Sequence, residues 1–239
     1  MRRCPAQRIS RRSREHTDMA RDNGVQTATE AWPEAQAGLT DVLIEIANVG
    51  AGNAAAALSH LTNRPFVISV PALTVVRRAD GMSHEPAPCV GEGVVVAQRL
   101  LGELDGQVLL ALPLSQACSL LALLSPGSPA DDLQHDFGKA LLQQVAALLT
   151  AAYLAALRIF LSLRVTASLP QDVQFARLDT ALAAAAAALG ESHIVVLKTA
   201  VHTPENTEDA VACVLFVLSQ HAAALLERRA RALLRETDI

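Results

Sequence analysis

The chain has 239 residues, enough for one large domain or two small ones, with 51% hydrophobic residues and a formal charge of −4. Its first 18 residues hold six Arg against two acids (+4), which leaves −4 − 4 = −8 on the remainder. An acidic body excludes the electrostatic footprint of a DNA- or RNA-binding protein, and the widely separated Cys4, Cys89, Cys118 and Cys213 exclude a CxxC metal site or a disulfide framework, leaving buried single thiols in a reducing compartment.

In chain order, residues 1–38 are expected to form a disordered basic tail. MRRCPAQRISRRSREHTD lacks the apolar segment of a secretory signal, and Met19 offers an alternative start. A long helix follows at about 40–61, with apolar residues at helical spacing and a cap at Thr40–Asp41. FVISV (66–70) and LTVV read as β-branched strand, and EGVVVAQRLL and GQVLLALP as a hairpin turning at LDG (104–106). PLSQACSLLALL (113–124) closes this half as a helix, and SPGSPADD (125–132) links it to the next.

The order then recurs. A helix spans 133–160, a strand lies in LRVTASL (163–169), and HIVVLKTAVH and DAVACVLFVLS form two strands joined across PENTED (204–209). SQHAAALLERRARALL (219–234) is the closing helix, and LDTALAAAAAAL (178–189) is an added helix expected in the second half only. ALLQQVAALLTAAYLAAL (140–157) is long enough to cross a bilayer. Gln143, Gln144 and the bounding Arg158, with no aromatic or basic belts, assign it instead to a core.

Sliding the chain by 99 positions lays 41–58 on 140–157 and carries Pro71 of ISVP onto Pro170 of ASLP without a gap. Matches between Ala/Leu-rich helices are cheap, but a proline in step is not, and internal duplication is the reading. The expected fold is α+β: a pseudo-twofold duplicated α-β-β-β-α unit, with long helices packed as one layer on a mostly antiparallel sheet. Its two repeats, 39–126 and 133–236, are expected to share one domain over 39–239, since each alone is near the small-domain limit.

Asp41, Glu45, Asn48 and Gly52 fall on one stripe of the first helix. Two acids one turn apart repel mildly, and Asn is a poor helix former because its amide competes for backbone groups. Gly52 and the Ala55–Ala56 pair leave the stripe without bulk, so another protein's backbone could come close. The plainer reading is a solvated face with one tolerated Asn, with Pro71 and Pro170 as strand-end punctuation. GAGN lacks the Lys of a phosphate loop. His60, His84, His135, His193, His202 and His221 show no metal or triad spacing, and ERRARALLR (227–235) reads as a solvated helix face.

The pattern Asp41-x3-Glu45-x2-Asn48-x22-Pro71, within EIANVGAGNAAAALSHLTNRPFVISVP (45–71), resembles the signature of the CheC/CheX/FliY family of chemotaxis phosphatases, CheC above all. The resemblance continues more weakly through the second repeat to about residue 236. It implies a CheC-type fold and a cytoplasmic enzyme that dephosphorylates the phospho-aspartate of a CheY-type response regulator. By the same resemblance Asn48 orients the attacking water and Glu45 pairs with the regulator's active-site Lys, while Asp41, Gly52 and Pro71 support or dock. No metal or cofactor of the chain's own is implied, Mg²⁺ being held by the partner regulator.

The second repeat departs from the signature. Gln144 stands for Glu, Ala147 for Asn and Ala140 for Asp41, with Pro170 kept, so a single active site is expected. The alternative is a non-catalytic scaffold that binds CheY or the receptor deamidase CheD. FliY-type switch proteins carry a further C-terminal domain, and a chain ending at Ile239 leads us to expect something other than a motor subunit.

Overall fold

The structure, a computed structural model, describes residues 37–77, 92–126, 132–190, 193–206 and 210–237. The expected basic tail up to residue 36, most of the linker and the last part of PENTED lie outside the described residues.

Helix α1 (Ala37–Thr62) and helix α3 (Asp136–Leu161) are both 26 residues long and start 99 residues apart (37 + 99 = 136). Each turns a small-residue stripe inward, and they cross closely. Gly50 shows how closely, because a Cβ there would stand 2.8 Å from Tyr153 Cδ1. Both helices run into a left-handed residue, Asn63 (φ 53°) and Ser162 (φ 50°), again 99 apart (63 + 99 = 162). Helix α1 begins at Ala37, so Thr40 and Asp41 lie inside its first turns and are not the cap expected from sequence. Helix α3 starts later than expected: Asp132–Gln134 forms a separate 3₁₀ turn, and extended His135 precedes the helix.

The strands are β1 (Val67–Ile68), β2 (Ala72–Arg77), β3 (Glu92–Gly102) and β4 (Gly106–Pro113) in the first half. The second half holds β5 (Val165–Ala167), β6 (Gln174–Arg177), β7 (His193–His202) and β8 (Ala212–Leu218). The order is β1-β7-β8-β4-β3-β5, with β2 beside β7 and β6 beside β3, and every pair is antiparallel. Hairpins β3–β4 and β7–β8 meet at the centre, where Leu109 pairs with Leu215, its own equivalent by the offset of the two strands (109 + 106 = 215). The pseudo-twofold axis therefore passes through that pair. Each half's short leading strands cross over to the other half's hairpin: β1 and β2 on β7, β5 and β6 on β3.

Those outer strands are broken in the same way. Between β1 and β2, Ser69 N–H donates to Ala200 O (2.9 Å) and Ser69 Oγ accepts from Ala200 N–H (3.0 Å). Between β5 and β6, Ser168 does the same with Arg99 (2.8 and 3.0 Å). The proline two residues later has no N–H to offer a ladder, which an edge strand tolerates. Ser-x-Pro is thus the repeated device that interrupts each edge.

Strands β4 and β8 read as near-continuous apolar runs because both their faces are covered. Val108, Leu110, Val214 and Phe216 join the core under α1, α3, α2 (Leu114–Leu124) and α5 (Gln220–Thr237). Leu109, Ala111, Cys213, Leu215 and Val217 face the other way, onto α4 (Leu178–Leu189). This corrects the expectation of a single helical layer. Helix α4 stands where expected, and the matching stretch of the first half, 79–90 (178 − 99 = 79, 189 − 99 = 90), lies outside the described residues. Asp41–Thr62 and Asp136–Leu161 are long and apolar enough to cross a membrane by length and composition. Their apolar faces are used here against each other and the sheet.

Candidate functional site

The stripe on α1 faces outward. Asp41 and Glu45 are exposed, Asn48 is half-buried, and Gly52 is exposed, with nothing within 4 Å of where a Cβ would stand. Ile46, Ala47, Gly50 and Ala51 hold the opposite side of the same turns in the core. The helix is anchored along its back, and its front carries a carboxylate, an amide and a gap within roughly 16 Å at 1.5 Å per residue. Among the described residues the side chains of Asp41, Glu45 and Asn48 have no hydrogen-bond or ion-pair partner. Their polar atoms are therefore available to a visitor at no cost in broken internal bonds.

Pro71 is buried at the break between β1 and β2, beside the serine clamp. The residue between serine and proline is Val70 in one half and Leu169 in the other, 73% and 89% exposed. The 99-residue slide aligns Ser69 with Ser168 (69 + 99 = 168), but their clamping role shows only in the contacts with the partner strands.

On α3 the exposure pattern recurs position by position while the chemistry does not. Ala140 and Gln144 are exposed and Ala147 is half-buried, matching Asp41, Glu45 and Asn48 in turn. Neither alanine offers a polar side-chain atom, and Gln144 carries no charge. Its neighbour Gln143 is engaged elsewhere, donating Nε2–H to Gln171 O at 3.0 Å, next to Pro170. Buried polar contacts tie α3 and the Ser168 loop to the strands. Thr150 Oγ1 donates to Gln98 Oε1 (2.8 Å), Gln98 Nε2 donates to Ser168 O (2.9 Å), and Tyr153 OH is hydrogen-bonded to Thr199 Oγ1. Burial pushes the Tyr153 hydroxyl well above its ordinary pKa, against the smaller opposing effect of that hydrogen bond.

An amide and a carboxylate on one open helix face can position a water and hold a cation. Among the described residues there is no group of three or more His, Cys, Asp or Glu side chains that could hold a metal ion.

The model of the CheC-like family matches residues 40–75, the stretch that contains Asp41, Glu45, Asn48, Gly52 and Pro71. CheY-P phosphatase CheC of Bacillus subtilis is 28% identical over 137 residues, 55% of this chain and 64% of that protein. The match thus spans less than two thirds of that relative's length. In fold, the chain is similar to Thermotoga maritima FliY (TM-score 0.60, 16% identity, 82% of this chain and 97% of that one). It is also similar to the FliM middle domain from H. pylori (TM-score 0.54, 9% identity, 81% and 98%). The α+β architecture expected from the sequence is the one these proteins share.

Proposed function

We propose that this chain, which is of the CheC/CheX/FliY type, hydrolyses the phospho-aspartate of a CheY-type response regulator in the cytoplasm. The observation that carries the reading is a coincidence: the segment matched by the CheC-like family is also the one whose Glu45 and Asn48 stand unpaired on an open helix face.

An acyl phosphate is already activated, so catalysis reduces to positioning and charge. Asn48 accepts a hydrogen bond from the attacking water through Oδ1 and keeps Nδ2–H free for a phosphoryl oxygen. The water oxygen bonds to phosphorus, the bond from phosphorus to the aspartyl oxygen breaks, and inorganic phosphate leaves with the carboxylate regenerated. Glu45 pairs with a lysine of the regulator. Such a pair is worth little in open solvent, and it gains value as docking shields both partners. Gly52 lets the regulator's backbone approach, Asp41 sits at the rim, and Pro71 fixes the neighbouring edge. The regulator supplies its own Mg²⁺. One site acts, because Gln144 and Ala147 lack the anion and the amide.

That same loss favours a second reading, a binding scaffold for CheY or CheD with negligible turnover. Phosphate release from a phosphorylated CheY-type regulator separates the two. The enzyme accelerates release catalytically at substoichiometric amounts. A scaffold binds the regulator, shown by co-elution or anisotropy, and leaves the spontaneous rate unchanged.

A further inference from the structure

The row of α1 that carries Asn48 runs along an edge of the sheet. Ile44, Asn48, Ala55 and Ser59, spaced 4, 7 and 4 residues apart, share that row. Both its ends meet the edge chain. Phe66 N–H donates to Ser59 Oγ at 3.0 Å, and Ile44 lines the same narrow gap as Leu73 of β2. From Phe66 to Leu73 is seven residues of extended chain (73 − 66 = 7), roughly 23 Å. From Ser59 back to Ile44 is fifteen residues of helix (59 − 44 = 15), also roughly 23 Å. The two segments therefore run side by side in opposite directions. Val70, four residues past Phe66 and so about 13 Å along, comes level with residue 50, between Asn48 and Gly52. Asn48 is half-buried where Glu45 and Gly52 are exposed, as fits the member of the stripe nearest that edge.

Val70 is held rigidly and outward. Ser69 exchanges two hydrogen bonds with Ala200 (2.9 and 3.0 Å), and Pro71 is buried, with the fixed φ of its ring. Between them the Val70 side chain is 73% exposed. One exposed aliphatic residue is ordinary on any protein, but this one forms a wall of a shallow notch. Gly52 leaves the floor open, and Val49, three residues before Gly52 and 37% exposed, stands on the far side. Apolar walls on a fixed backbone cost little ordering entropy to cover. Covering them also expels water from around a neighbouring charge and strengthens every electrostatic contact there.

We infer that Val70 is an apolar anchor for the regulator, seating the apolar surface that borders its phospho-aspartate over Gly52, between Val49 and Val70. The inference rests on the reading of the α1 stripe as the regulator's docking face. It divides the work on that face: Val70 supplies affinity, Glu45 a charge and Asn48 the rate. Leu169, the equivalent of Val70, is 89% exposed but belongs to the half whose carboxylate and amide are replaced by Gln144 and Ala147, and it takes no part.

The test is a pair of titrations on the full chain. Binding is read by anisotropy with a stable beryllofluoride adduct of the CheY-type regulator, and rate by single-turnover phosphate release from the phosphorylated one. Val70→Ser, with far-UV circular dichroism retained, is expected to raise the dissociation constant and the half-saturating concentration on the order of tenfold, with a much smaller change in the rate at saturation. Val70→Leu should stay near wild type, and Leu169→Ser should leave both titrations unchanged. A dissociation constant for Val70→Ser within twofold of wild type overturns the inference. So does an equal weakening by Leu169→Ser, and so does a loss confined to the saturated rate. A wild type that binds the regulator without accelerating release removes the phosphatase reading alone, and the binding titration still decides the role of Val70. A wild type that does not bind removes both.

Discussion

At the scale of single residues, the two glycines of VGAG have opposite surroundings and should respond oppositely to substitution. A side chain at Gly50 meets both the ring and the Cα of Tyr153, at 2.8 and 3.3 Å, and α1 cannot move away without opening the core. Gly50→Val is expected to cost about 1–3 kcal/mol, as overpacking does. Gly52 faces open space, and Gly52→Ala is expected to stabilise the helix by up to about 1 kcal/mol. If the stripe is a docking face, that stabler variant binds the regulator more weakly. Chemical denaturation beside a binding titration reads both effects. Another residue-scale expectation concerns Glu103, between β3 and β4. It accepts the Arg164 N–H at 2.6 Å and meets Arg229 Nη2 at 3.2 Å. The Arg164 backbone bond first, and the two guanidinium groups after it, hold its carboxyl below the ordinary value. A depressed carboxylate stabilises the fold fully above its unfolded pKa, and loses that contribution as pH falls through the folded one. The stability gap between wild type and Glu103→Gln should therefore stay constant near neutral pH. It should narrow below the ordinary carboxylate range, as denaturation midpoints along a pH series would show.

At the scale of elements, the two long helices present the same frame with different chemistry. Since Gln144 and Ala147 repeat the exposure of Glu45 and Asn48, restoring the side chains should restore a site. Gln144→Glu with Ala147→Asn is expected to recover phosphate release in an Asn48→Ala background. Failure in a folded protein would mean that the surroundings of α3, not only these two positions, have diverged. This scale also separates what the sequence discloses from what it hides. Helical spacing and the 99-residue step located both long helices, because a buried stripe leaves a period in the apolar residues. The hairpins were as plain, since covered strands are β-branched and apolar. Strand β6 went unseen: QFAR has no alternation, and it is strand only because β3 offers it an edge at residues 92–95. The stripe itself was legible because Asp41, Glu45 and Asn48 break an apolar period at helical spacing. The serine clamps were not, because a serine two residues before a proline signals nothing until its partner strand is known.

At the scale of the whole molecule, the two halves hold each other. The leading strands of each complete the edge beside the other's hairpin, and Leu109 and Leu215 meet on the axis. No local pattern announces that exchange, because pairing between segments as far apart as Val67 and His202, or Leu100 and Ala167, leaves no mark on either alone. Removing one half strips edge strands from the other, so partial unfolding should be unfavourable. The full chain is expected to unfold in a single cooperative transition, with calorimetric and van't Hoff enthalpies in agreement. Two resolved transitions would show that the halves are independent. The interlock also gives α1 a rigid bed, which a water-positioning amide requires, because a displacement of about 1 Å can cost roughly 10²-fold in rate.

The central claim is that the Asn48 amide places the water. Its most direct test is single-turnover phosphate release from a phosphorylated CheY-type regulator, with wild type and Asn48→Ala each at saturating concentration. Wild type should accelerate release, and Asn48→Ala should bind the regulator with similar affinity while losing on the order of 10²-fold or more of the acceleration. Equal accelerated rates for the two proteins would contradict the account.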